Sequence, residues 1–143
     1  SKALASLDHV VVDRGRDGER RQLILTGLDT ADLDKRAREF VGYALGDRPA
    51  GTIEGLTALA NLKGRTLVPG DRVTLRGDSH SLTYRVTSVR KVAKKALATD
   101  SQAFKQTGSH RLVLITCTGN YHRDRGGYDS NLVVVAKPRG LAR

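Results

Sequence analysis

Cys117 is the only thiol in the chain, closing the apolar run "RLVLIT" just before the polar stretch "TGNYHRDRGG". A thiol in that position has two readings, a small buried hydrophobe or a nucleophile held at a strand end. A nucleophile needs an acid or base, and four histidines are available. His9 falls in the first strand pattern and His80 at a hairpin tip. His110 precedes Cys117 by seven residues, roughly 20 Å along a strand. His122 lies five residues beyond, in a loop with an easy route back to the thiol. One cysteine and four scattered histidines give no zinc spacing. The acidic residues of "RGRDGER" and "DRGGYD" set no calcium-loop register, and no phosphate-binding glycine motif occurs. Neither a metal nor a cofactor is therefore expected.

The elements that must position Cys117 are mostly strands. "DHVVVD" and "RQLILTGL" are short aliphatic runs separated by the charged, turn-rich "RGRDGER". "TADLDKRAREFVGYAL" is helical: Thr30 or Asp29 can cap it, and Leu33, Ala37, Phe40 and Val41 share a face. "GDRPAGTIEGL" is a loop, and "LTALANLKG" could form one or two helical turns stopped by Gly64. Pro69-Gly70-Asp71 presets a tight turn. Strands over Val73–Leu75 and Leu82–Val89 then flank a hairpin connection at Arg76–Ser81. "HRLVLIT" and "NLVVVAKP" are the last two strands, joined by a loop of about a dozen residues. Short strands, regular turn signals and little helix argue for a small closed β-barrel or sandwich with helical insertions.

The chain's 143 residues suit one domain, residues 1–143, with a single core. Composition is that of a soluble globular protein, at 38% hydrophobic and 28% charged, and no run reaches the length of a membrane helix. A net charge of +10 raises the prior for a polyanionic partner: nucleic acid, an anionic cell-wall polymer or a membrane surface. The basic residues are scattered, however, and aromatics are scarce at 4%, so stacking platforms for single strands are few.

Several motifs together resemble the sortases, the cysteine transpeptidases of Gram-positive cell surfaces. "LVLITCTG" is similar to the family's signature of Thr, an aliphatic residue, Thr and Cys ending a barrel strand. "GGYDSNLVVVAKP" resembles the last strand of actinobacterial members, and "LVPGDRVTLRG" with "LTYRVTSVRKVAKKALAT" the turn, hairpin and basic segment before it. "VGYALGDRPAGT" looks like the loop leading into the family's histidine strand. The likeness is strongest over residues 68–138.

The resemblance implies a mostly β fold, a closed antiparallel barrel of about eight strands with one or two short helices. It implies that Cys117 attacks a Thr-Gly bond in a sorting signal of the LPXTG kind. A thioacyl intermediate forms and is resolved by an amine from a peptidoglycan precursor or a pilin. Thr116 and Asn131 would line the substrate groove, Arg123 or Arg125 would supply the cation, and His122 is the histidine nearest in sequence. Such a protein works on the outer face of the cell, membrane-anchored in full-length form, with the anchor outside this chain.

Two positions depart from the pattern. Where the family carries a histidine after a glycine, ahead of the Pro-Gly-Asp turn, the matching place reads Gly55-Leu56, and leucine cannot move a proton. Asn131 stands where an arginine usually precedes the final apolar run. Three readings therefore stay open: an active cysteine transpeptidase, a catalytically inactive sortase-fold module in cell-surface or phage assembly, and a basic domain that binds nucleic acid or another polyanion.

Overall fold

The computed structural model describes residues 5–7, 9–13, 22–26, 30–44, 55–60, 67–100, 103, 110–122, 124 and 127–141. The strands are β1 (Ala5–Leu7), β2 (His9–Asp13), β3 (Gln22–Thr26), β4 (Leu56–Ala60), β5 (Arg72–Arg76), β6 (Ser81–Ala93), β7 (Leu112–His122) and β8 (Gly127–Leu141). The helices are α1 (Thr30–Ala44) and the single turn α2 (Lys94–Leu97). All the strands join one sheet in the order β1-β4-β7-β8-β6-β5-β3-β2. The sheet is mixed: β2–β3, β5–β6 and the long β6–β8 and β7–β8 pairings are antiparallel as expected, whereas β1–β4, β4–β7 and β3–β5 run parallel.

The two edge strands, β1 and β2, are separated in sequence by a single residue. Laid flat, eight strands at about 4.8 Å spacing would put those edges roughly 34 Å apart. The chain from Leu7 to His9 can span only about 7 Å. The sheet must therefore curl until its edges approach. The expected closed barrel is met only to that extent, since no β1–β2 pairing occurs among the described residues. Irregularities in the β6–β8 register at Thr83/Tyr84 and Val86/Ser88 add local bending.

Leu56–Ala60 is a strand and not the helical turns that its leucine and alanine content suggested. It is an interior strand, paired in parallel with β1 on one side and β7 on the other. A short apolar run buried from both sides reads the same way in either state, and strand pairing decides it. The final two strands are also longer than expected. They pair as far as His122 and Gly127, so the connection shrinks to the residues between them.

Side chains alternate between two apolar layers. On one side Leu33, Ala37 and Phe40 of α1 pack with Val73, Leu75, Leu82, Tyr84, Leu112, Leu114 and Val134. The helix buries Leu33, Ala37 and Phe40 of the face its spacing predicted and leaves Val41 half-buried, each large buried side chain contributing about 1.5–3 kcal/mol. On the other side Val92, Val113, Ile115 and Val133 pack with Ala103 and Leu97 of α2. Val68 to Asp71 form a type II turn, with Gly70 at φ 96° and the Asp71 amide bonded to the Val68 carbonyl at 3.1 Å. The Asp71 carboxylate accepts from the Val68 amide at 2.9 Å and closes the turn from its other side.

Candidate active site

Cys117 owes its position to β7, an interior strand flanked by β4 and β8. The β4–β7 register runs from Leu56 opposite Leu112 to Leu59 opposite Ile115. The β7–β8 register sets Thr116 opposite Leu132 and Cys117 opposite Asn131. The β6–β8 register then sets Asn131 opposite Val92 and Leu132 opposite Lys91. Cys117, Asn131 and Val92 thus form one row across three strands, with Thr116, Leu132 and Lys91 in the next. Two residues that the sequence singled out, 14 positions apart, are direct cross-strand neighbours.

The strands are held here by apolar residues just below the row. Ile115 and Val133, opposite each other, are both buried in the layer beneath α2. Thr116 is buried as well, at 8% exposure, and Asn131 is half-buried. The segment covering this layer is pinned by Asp100. Its carboxylate takes a two-pronged bond from the Arg90 guanidinium, at 2.9 and 3.1 Å, and a third bond from the Ala103 amide at 2.9 Å. The bond to Asp100 raises the Arg90 pKa further. Arg90, opposite Val133 in the row of Ile115, is therefore committed to its carboxylate.

Among the described residues the paired rows of Thr116 and Cys117 hold Lys91 as their one titratable group other than the thiol, and neither contains a histidine or an arginine. The Asn131 amide can donate and accept hydrogen bonds but cannot relay a proton or supply a charge. Across those rows the chain offers a thiol, an amide, an amine and a buried hydroxyl.

The remaining expected residues fall elsewhere. His122 is the last residue of β7 and pairs with Gly127, so it lies on the strand and not in a loop. Five strand residues separate it from Cys117 by roughly 15 Å, too far for direct proton transfer. Arg123 and Arg125 lie outside the described residues. Leu56 pairs with Leu112 at the opposite end of the β4–β7 ladder from Cys117. Gly55 has a packing reason of its own: a Cβ there would stand 2.6 Å from the Arg111 carbonyl oxygen.

Two histidines expected to be simple exposed residues have definite partners. His80 meets Asp34 at 3.3 Å while Ser79 donates to the same carboxylate at 2.6 Å, tying the β5–β6 hairpin to α1. These bonds, Ser79 first, hold the Asp34 pKa below its ordinary value. His110 is buried, with its Nε2 2.6 Å from the Tyr84 hydroxyl and its ring against Phe40. Burial drives the Tyr84 pKa far up despite the nearby Arg36, so the phenol keeps its proton while it shares the hydrogen bond with Nε2. Arg36 is itself buried, a cation of α1 that the apolar spacing gave no reason to place inside. Among the described residues no group of three or more His, Cys, Asp and Glu could hold a metal ion.

Comparison with known proteins adds one specific match: the family model for the sortase domain fits residues 53–139. Among solved structures, the chain is similar to sortase C-1 from Actinomyces oris, at 15% identity, with 85% of this chain and 50% of that one covered and a TM-score of 0.41. It is similar to Streptococcus pneumoniae sortase C at 19% identity, covering 88% of this chain and 48% of that one, TM-score 0.43. For the SrtA sortase from Actinomyces oris the identity is 18%, the coverage 85% and 72%, and the TM-score 0.44. The chain thus spans about half the length of the first two. No curated protein matches the sequence.

Proposed function

The chain belongs to the sortase family, and on that premise we propose that it is a thioacyl-transfer domain with Cys117 as nucleophile. What supports the assignment most is the place of Cys117: inside the family-matched segment, on an interior strand, directly opposite Asn131. The sulfur attacks the threonine carbonyl of an LPXTG-type sorting signal. The Thr-Gly bond breaks, the thiol proton leaves on the glycine amine, and a thioester remains. An acceptor amine, from a peptidoglycan precursor or a pilin, then displaces the sulfur and restores the thiol. Thr116 and Asn131 line the peptide groove, and Arg123 or Arg125 holds the developing oxyanion. The domain is a single unit over residues 1–143 acting at the cell envelope. Among the described residues no helix is long and apolar enough to cross a membrane.

The test is intact-mass detection of a thioacyl adduct after incubation with an LPXTG-type peptide. The adduct should form on the wild-type chain, disappear in Cys117→Ser and be cleaved by hydroxylamine. Alanine at Arg123 and Arg125 then identifies the cation by rate, and alanine at His122 should leave the rate unchanged. A second reading, a module that binds without transfer, is favoured by one observation: among the described residues the paired rows of Thr116 and Cys117 contain no histidine and no arginine. Saturable peptide binding with neither adduct nor glycine-fragment release would establish that reading and overturn the first.

A further inference from the structure

The outward side of β5, β6 and β8, at the end remote from Cys117, gathers basic residues that are far apart in sequence. The register sets Arg72 opposite Arg85 and Arg85 opposite Lys137. Three cations thus stand in one row across three adjacent strands, spanning about 10 Å. Their sequence neighbours Val73, Tyr84 and Ala136 are buried in the α1 layer, which fixes this row on the other side of the sheet. Arg76 and Arg139, both exposed, extend the patch along β5 and β8. Between the arginines of β5, Thr74 bonds to Thr83 at 3.2 Å, a neutral pair buried beneath the longer cationic side chains.

Like charges directly opposite one another in a sheet repel. No carboxylate pairs with Arg72, Arg85, Lys137 or Arg139 among the described residues. Arg72 goes further: its Nε is buried and has no hydrogen-bond acceptor. A buried guanidinium N–H without an acceptor is costly, so Arg72 holds its charge in place unneutralised, and an anion over the exposed Arg85 and Lys137 would relieve the repulsion along the row.

We propose that this face docks a linear phosphodiester polymer that carries no bases. Arginine forks match phosphate oxygens two at a time, and charges spaced one strand apart suit anions repeated along a flexible chain. None of Arg72, Thr74, Arg76, Thr83, Arg85, Lys137 and Arg139 is aromatic, so bases would find no stacking partner. Among the described residues the patch is a sheet face, and α1, the helix that could enter a duplex groove, packs on the opposite side of these strands. Lys137 is six residues from Asn131 along β8, roughly 20 Å. A polymer held here leaves the Cys117 row open, and its binding is independent of any thioacyl chemistry.

The experiment measures binding of fluorescent poly(glycerol phosphate) by anisotropy over a salt series. Arg72→Gln/Arg85→Gln/Lys137→Gln should weaken binding at least about tenfold and lower the salt slope by about three contacts. Arg85→Gln/Lys137→Gln gives the same comparison with the half-buried Arg72 intact, and thermal melts establish that both variants fold. Lys35→Gln/Lys94→Gln/Lys95→Gln removes the same charge elsewhere and should change binding less than about twofold. Equal losses in the two triple variants would overturn the proposal, as would no binding by the wild type. Tighter binding of oligo(dT), duplex DNA or anionic lipid vesicles than of the polymer would also overturn it.

Discussion

Replacing Tyr84 by phenylalanine removes a single oxygen from the interior and tests how the α1 layer is held. Tyr84 and His110 are 1% and 5% exposed, and 2.6 Å separates the hydroxyl from Nε2. The benzyl ring that remains fills almost the same volume, so the effect isolates the hydrogen bond. A buried polar group stripped of its hydrogen-bond partner costs about 1–3 kcal/mol. For a domain of this size each kcal/mol lowers the melting temperature by roughly 2–4 °C, so a loss near the middle of the range is about 4–8 °C. Urea denaturation of wild type, Tyr84→Phe, His110→Leu and the double variant gives the coupling directly. With His110 already leucine, Tyr84→Phe should cost less than about 0.5 kcal/mol, because no imidazole is left to orphan. Equal costs of Tyr84→Phe in the two backgrounds would refute the assignment of this pair as a buried, energetically coupled bond.

Gly55→Ala brings a Cβ to 2.6 Å from the Arg111 carbonyl, where the Leu56 amide also bonds, and should destabilise by about 1–3 kcal/mol in a thermal melt. An unchanged melting temperature would mean that β4 and β7 are not held this closely. The Asp34 carboxyl is held below its ordinary 3.8 by the Ser79 hydroxyl and, less strongly, by His80. A depressed folded-state pKa contributes stability that is present above the unfolded value and lost as pH falls through the folded one. Asp34→Asn should therefore be less stable than wild type at about pH 5 and indistinguishable from it at about pH 2. Asp100→Ala cuts both the Arg90 pair and the Ala103 amide bond, and should cost about 1–2 kcal/mol in denaturant midpoint. Arg90→Ala should cost less than that, because its side chain is 38% exposed and its pairing is weakened by solvent.

Local chemistry made much of this fold readable in the sequence. The Pro69-Gly70-Asp71 turn follows from ring-locked φ and a glycine free to adopt positive φ, and both features are found. The buried face of α1 follows from the spacing of Leu33, Ala37 and Phe40. What depends on register was not readable. Asn131 was marked by its place before an apolar run, but only the pairing of β7 with β8 puts it beside Cys117. Arg72, Arg85 and Lys137 are scattered in the sequence and meet only through two strand pairings. His110 looks like an ordinary polar residue at a strand start until Tyr84 of another strand arrives to bond it. In Leu56–Ala60 composition pointed to helix, and tertiary pairing overruled it.

The single residue between β1 and β2 also constrains the order in which the molecule can assemble. β2 finds its partner β3 nearby in sequence, whereas β1 must wait for β4, about 50 residues downstream. On a ribosome the N-terminal strands emerge first, yet the seam they bridge depends on a partner made much later. Loop closure over that distance is entropically slow, and the parallel β3–β5 and β4–β7 pairings add further long-range steps. Folding should then run from the local β5–β6 and β7–β8 hairpins outward, with the joining of β1 to β4 as its late, rate-limiting event.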